Sequence, residues 1–195
     1  MQWNNHSKEV PEGAHATFGA SNYHWTNYDE DKFKEVYRNH LLTLEGTATH
    51  AFAALCIQRR QKLPGGKTTL TKYVNDAIGF KMDPEVPLYY SDNFFGTTDA
   101  INFRNHPDKE SGYKYFLRIH DLKTGKTPAK HRQLEVYAAF FFLEYKIRPE
   151  DTEIELRIYQ NGDIVVGKPT MKEIKPIMNK IVLFDKRIEK IKLEG

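Results

Sequence analysis

The chain has 195 residues, 39% hydrophobic, 28% charged and 13% aromatic, which fits one globular domain and excludes a disordered or coiled-coil segment. The single cysteine, Cys56, rules out an intramolecular disulfide and any multi-cysteine zinc or iron-sulfur site, and it suits a reducing compartment. Twenty-nine Lys and Arg against 26 Asp and Glu leave a formal charge of +3, so affinity for nucleic acid must come from a local patch rather than a bulk basic field.

Residues 1–20 are polar and aperiodic and predict an irregular arm ahead of a single domain over 21–195. The opening MQWNNHSKEVPEG has no apolar run of signal-peptide length, and no later apolar stretch is long enough to cross a bilayer, so a cytoplasmic location without membrane contact is expected. A segment rich in Tyr and Trp follows, with Tyr23, Trp25 and Tyr28 suited either to core packing, the favoured reading, or to stacking on bases. A helical pattern runs over 31–60, in one piece or two, with a strongest apolar stripe of Leu44, Ala48, Ala51 and Leu55. KLPGGK at 62–67 reads as a turn, and 70–78 as a short helix.

Strands are predicted over 88–95, 96–103 and 115–123, the last two separated by the polar loop RNHPDKESGYK. A helix opened by Pro128 extends to about 146, with Gln133 and Tyr137 on one face. The alternation over 153–159, the Asn161-Gly162 pair and 164–166 predict a hairpin, and 170–192 a final amphipathic helix. The predicted class is α/β, a mixed central sheet flanked by helices, in the order α-β-β-β-α-β-β-α.

Alternation within strands draws attention to two acids. One face of the third strand reads Tyr115, Leu117, Ile119, Asp121, Lys123, and one face of the strand before it reads Phe95, Thr97, Asp99, Ile101, Phe103. Two carboxylates on one half-buried face repel unless a cation or a proton intervenes, and hard oxygen donors suit Mg²⁺ or Mn²⁺. The plainer alternative is a strand-end ion pair of Asp121 with Lys123 and a bend capped by Asp99.

Asp99 in GTTDAI, Asp121-Leu122-Lys123 in IHDLKTGK, Gln133 and Tyr137 in QLEVY, and His50 four residues after Gly46 occur in the order found in one nuclease superfamily. On these motifs, which span about 21–166, the chain resembles the PD-(D/E)XK nucleases, in particular the RecB-type branch of phage exonucleases and CRISPR-associated nucleases. GASNYHWTNY and EGTATH look like small phage-encoded members. The resemblance implies a restriction-endonuclease-like core. It also implies an Mg²⁺ or Mn²⁺ ion held by His50, Asp99, Asp121 and the Leu122 carbonyl, with Lys123 working beside the ion and Gln133 and Tyr137 facing the cleft. The four-cysteine iron-sulfur cluster of many relatives is excluded.

The expected activity is phosphodiester hydrolysis on single- or double-stranded DNA by a phage or mobile-element enzyme of recombination, replication or degradation. Exonuclease action is favoured over endonuclease action, in the host cytoplasm if the protein is phage-encoded. Lys126, Lys130, His131 and Arg132 are candidates for holding backbone phosphates, with ordinary solvation as the alternative. On spacing alone His50 fits a core histidine as well as it fits a ligand, and Tyr137 fits packing against the sheet. A homo-oligomer or a recombination partner is left open.

Two other functions are weighed. The scaffold can serve as a non-catalytic DNA-binding or recombination accessory protein. A phosphohydrolase built on His120-Asp121 would require that doublet on a helix beside further histidines. GGKT at 65–68 and TGKT at 124–127 lack the first glycine of a phosphate-binding loop and are not P-loops.

Overall fold

The computed structural model describes residues 16–194, so most of the expected N-terminal arm lies outside the described residues. The chain divides into two compact units, the first ending at Thr47 and the second beginning at Ala48. In the first, Ala20–Asn27 forms 3-10 turns. Phe18 stacks on Phe33 at 4.6 Å and meets Trp25 edge-on, and the Trp25 indole N–H donates to the Gly19 carbonyl at 3.0 Å. Trp25 and Tyr28 are half-buried, whereas Tyr23 is 63% exposed. Helix α1 (Glu30–Gln58) is continuous and enters the second unit.

The second unit holds α2 (Thr69–Gly79), β1 (Asp83–Ser91), β2 (Phe94–Asn105), β3 (Tyr115–Lys123), α3 (Arg132–Tyr145), β4 (Thr152–Gln160), β5 (Asp163–Gly167) and α4 (Met171–Glu194). The five strands form one mixed sheet in the order β1-β2-β3-β4-β5, antiparallel except for the parallel pair β3–β4. A parallel neighbour needs a crossover, and α3 lies within it. β3 is central and buried at nearly every position, as a strand covered on both faces must be.

Leu117 and Ile119 of β3 join Leu134, Ala138 and Phe142 of α3 and Ile174 of α4 in one core. Leu122 of β3 and Tyr159 of β4 join Ala53 and Ile57 of α1 and Tyr73 and Val74 of α2 in the other. The unit is therefore helix, sheet, helix in section.

Three sequence expectations shift. The first hairpin turns at Asp92 and Asn93, pairing Ser91 with Phe94, rather than between Phe95 and Gly96. The Ser91 hydroxyl and the Asn93 amide both donate to Asp185 of α4, which pins the turn there. Helix α3 starts at Arg132, not Pro128, because Gln160 of β4 clamps the preceding segment. Its amide donates to the Gly125 and Thr127 carbonyls at 2.6 and 2.8 Å, and its Oε1 accepts the Ala129 N–H at 3.1 Å. On α1 the buried face carries Ala53, Cys56 and Ile57, while Ala48, Ala51 and Leu55 are exposed. The buried stripe is thus rotated on the helix from the one that includes Leu44 and Leu55, both exposed.

The Asn161-Gly162 signal corresponds to the β4–β5 turn, with φ of 52° and 85°. Both residues occupy the left-handed region that a two-residue hairpin of this type demands. The Gly162 N–H donates to the Thr69 hydroxyl, and the Gly162 carbonyl accepts from Lys72, tying the turn to α2. Gly162→Ala is expected to cost about 1–2 kcal/mol, read as a lower urea midpoint with unchanged slope.

Candidate functional site

The site starts from a defect in strand pleating. Across β1 and β2 the register is continuous on either side of Glu85 and Asp99, with Pro84 opposite Ala100 and Val86 opposite Thr98, but these two residues form no ladder pair. Before the defect, Gly96 faces α3: a methyl group there would lie 2.9 Å from the Tyr137 ring. Beyond it, Ala100 belongs to the core under α2, and Ile101 to the core under α3. The inside-outside phase of β2 therefore inverts at Asp99. Glu85 accommodates the change with φ of 51°, an unusual backbone state for a non-glycine residue.

This geometry corrects the sequence argument, which placed Phe95, Thr97, Asp99, Ile101 and Phe103 on one core face. Phe95 and Thr97 are exposed, whereas Ile101 is buried. Asp99 instead reaches β3. Its Oδ2 accepts the Leu122 N–H at 2.8 Å, beyond Ala100 and His120, the last registered pair of β2 and β3. The Nδ1 of His50 on α1 stands 3.3 Å from the same oxygen. Leu122 thus gives its N–H to Asp99, while its apolar side chain enters the core under α2.

On the other sheet face, Asp121 is only 3% exposed. Its Oδ2 has no hydrogen-bond partner among the described residues. The Lys123 ammonium lies 3.1 Å away, close enough for an ion pair but outside hydrogen-bond geometry. Lys123 donates to Gln133 Oε1 at 2.9 Å, and Gln133 Nε2 donates to the Tyr137 hydroxyl at 3.1 Å. The Gln133 amide is thereby oriented by a partner at each end, and four expected site residues form one connected row.

Electrostatics follow from this placement. Burial pushes the Asp121 carboxyl above its ordinary value, and the charge of Asp99 adds to the effect, against Lys123 and His50. The contact with Asp99 raises the His50 imidazole despite partial burial, and Asp121 and Glu85 contribute. The His50–Asp99 contact is strongest with the imidazole protonated. Its stabilisation is complete below the ordinary histidine value of 6.5 and is lost as pH rises through the raised value.

Two residues missed by sequence reasoning also belong here. Glu85 is exposed yet raised, by partial desolvation and then by Asp99. Buried Tyr73 of α2 has its phenol raised well above the ordinary value by burial, then by the charges of Asp99, Glu85 and Asp121. The available signal for Glu85 was an acid between Pro84 and Pro87, which a strand starting at residue 88 leaves outside the sheet. Tyr73 had none beyond its place on an amphipathic helix.

Among the described residues, no three His, Cys, Asp or Glu side chains are arranged to hold a metal ion as they stand. The donor chemistry nevertheless fits a hard divalent cation: carboxylates and one imidazole, with a buried carboxylate oxygen that has no hydrogen bond among the described residues. His50, Asp99 and Asp121 are close enough to feel one another's charges.

The basic cluster divides. Lys126 and Lys130 are exposed, with no ion-pair partner among the described residues. The His131 ring lies against Gly167, with Nε2 at 3.1 Å from the Val165 carbonyl, and Arg132 pairs with Glu135 at 2.9 Å.

The His120-Asp121 phosphohydrolase reading fails, because successive strand residues point to opposite faces. His120 is fully buried beside the Phe80 and Tyr159 rings, and desolvation, followed by Arg157 and Arg118, holds it well below the usual histidine range. Compared with known protein families, curated proteins and solved structures, the chain matches none. Among the described residues no helix is long and apolar enough to cross a membrane.

Two variants test this geometry. Because the folded-state value of Asp121 is raised, the fold loses stability as pH climbs from the ordinary 3.8 through that raised value. Asp121→Asn is therefore expected to raise the melting temperature at neutral pH in EDTA by about 2–4 °C, equivalent to about 1 kcal/mol, with the gap closing as pH falls toward the ordinary aspartate value. Gly96→Ala must displace the Tyr137 ring and is expected to cost about 1–3 kcal/mol by overpacking, visible in urea melts and in the tyrosine resonances.

Proposed function

We propose that this protein is a metal-dependent deoxyribonuclease of RecB-like PD-(D/E)XK type that hydrolyses phosphodiester bonds, with exonuclease action favoured over endonuclease action. The observation that carries the proposal is the buried Asp121 oxygen, which has no hydrogen bond among the described residues and is offset only by the Lys123 ammonium, with Asp99 and His50 at the same end of the sheet. Folding leaves a carboxylate in a costly position, as expected where a cation is to be received. The three-stranded antiparallel unit, crossover helix and parallel fourth strand support a restriction-endonuclease-like core.

Asp99, Asp121 and His50 would hold Mg²⁺ or Mn²⁺, with the Leu122 carbonyl as a further candidate. A divalent cation so placed supplies charge neutralisation on the phosphate and a more acidic water. Lys123, held by Gln133, presents an ammonium group to charge developing on the phosphate or to the attacking water. Tyr137 fixes Gln133 and so acts through it as a positioning residue. Lys126 and Lys130, beside the cleft in sequence, suit the DNA backbone.

The alternative reading is a DNA-binding or recombination accessory protein that keeps the scaffold without cleaving, the state expected if the donors, of which no three converge among the described residues, are not drawn together by a cation. One assay separates the two. Linear duplex, single strand and closed circle are incubated with Mg²⁺ or Mn²⁺, with label at the 5′ or 3′ terminus of the linear substrates. The nuclease reading expects ladders from linear substrates and intact circles, with loss of roughly a hundredfold or more in Asp121→Ala and Lys123→Ala. Full activity in either folded variant overturns the site, and an EDTA-insensitive gel shift without cleavage establishes the accessory reading.

A further inference from the structure

Glu85 stands opposite Asp99 at the pleat inversion, where β1 and β2 leave these two positions unpaired while the pairs on either side keep one register. The flanking pairs fix its backbone, so Glu85 lies one strand away from the carboxylate that contacts His50 and the Leu122 N–H. Pro84 and Pro87 lack N–H groups and are tolerated because β1 is an edge strand. Glu85 is exposed, with no hydrogen-bonded or ion-paired partner among the described residues.

A second observation points to a ligand: Asp121 is 3% exposed, and its Oδ2 has no hydrogen-bond partner among the described residues, with only the Lys123 ammonium at 3.1 Å to offset its charge. Asp99 Oδ2 is already engaged by Leu122 and His50. Among the described residues no three donors converge, so a cation must draw at least one side chain inward. Glu85, exposed and without a bonded partner, is the donor freest to do so.

We propose that Glu85 is a fourth side-chain donor of this site, so that edge strand β1 adds a hard oxygen ligand for Mg²⁺ or Mn²⁺ to His50, Asp99 and Asp121. The inference rests on the metal-dependent reading of the site. It assigns the cation a donor from each of β1, β2, β3 and α1, and it gives the pleat inversion a chemical consequence.

The test is an Mn²⁺ titration of the full chain, followed by free Mn²⁺ in electron paramagnetic resonance and by the melting temperature. Wild type, Glu85→Gln, Glu85→Gly and Asp121→Asn are compared. Glycine accepts positive φ without strain, so Glu85→Gly keeps the fold while removing the carboxylate. The expected result is saturable Mn²⁺ uptake by wild type, about tenfold or greater weakening in both Glu85 variants, and at least that loss in Asp121→Asn. Wild-type affinity in both Glu85 variants with loss in Asp121→Asn removes Glu85 from the site and leaves the site standing. No Mn²⁺ uptake by wild type overturns both.

Discussion

The bond from the Leu122 N–H to Asp99 Oδ2 organises this end of the molecule. Beyond Ala100 and His120 there is no further registered pair between β2 and β3, and a carboxylate takes a backbone donor there. A hydrogen bond to a charged group contributes roughly 1.5–3 kcal/mol, and a buried N–H would otherwise be left without a partner. Asp99 can fill this position because β2 reverses its pleat there, which turns the acid away from the regular inside-outside alternation.

From that point the two faces of the sheet contribute different chemistry. On the α1 and α2 side are His50 and the apolar core around Tyr73, and on the α3 side Asp121, Lys123, Gln133 and Tyr137. Asp99 has a contact with each of His50 and the β3 backbone. Large groups elsewhere hold this arrangement in place: Gln160 restrains the segment before α3, and Tyr137 packs where Gly96 has no side chain. Burial of Asp121 works against stability, a cost that proteins concentrate at sites of function.

Much of the local structure was legible. Asn161-Gly162 specified a turn because both residues tolerate positive φ, and the run from Tyr115 to Lys123 declared a buried strand through its Phe, Leu and Ile content. Asp121, Lys123, Gln133 and Tyr137 were readable as a group because strand and helix periods placed each pair on one face. Asp99 was singled out by an alternation argument whose geometry the structure corrects, and His50 by resemblance in motif order. Glu85 was missed because two prolines disguised the start of β1, and on α1 the side shared by Ala53 and Ile57 was ranked behind the stripe with two leucines, although it is the one that packs.

By itself the sequence determined a mixed α/β chain with an acid and a lysine ending a buried strand face, since those features follow from residue periodicity and turn chemistry. Tertiary structure alone decided that β2 inverts at Asp99, that His50 meets that acid, and that His120 and Asp121 part to opposite faces of a covered sheet. These outcomes depend on register between strands and on which side of a helix finds a close-fitting neighbour, and neither quantity is encoded in any one segment.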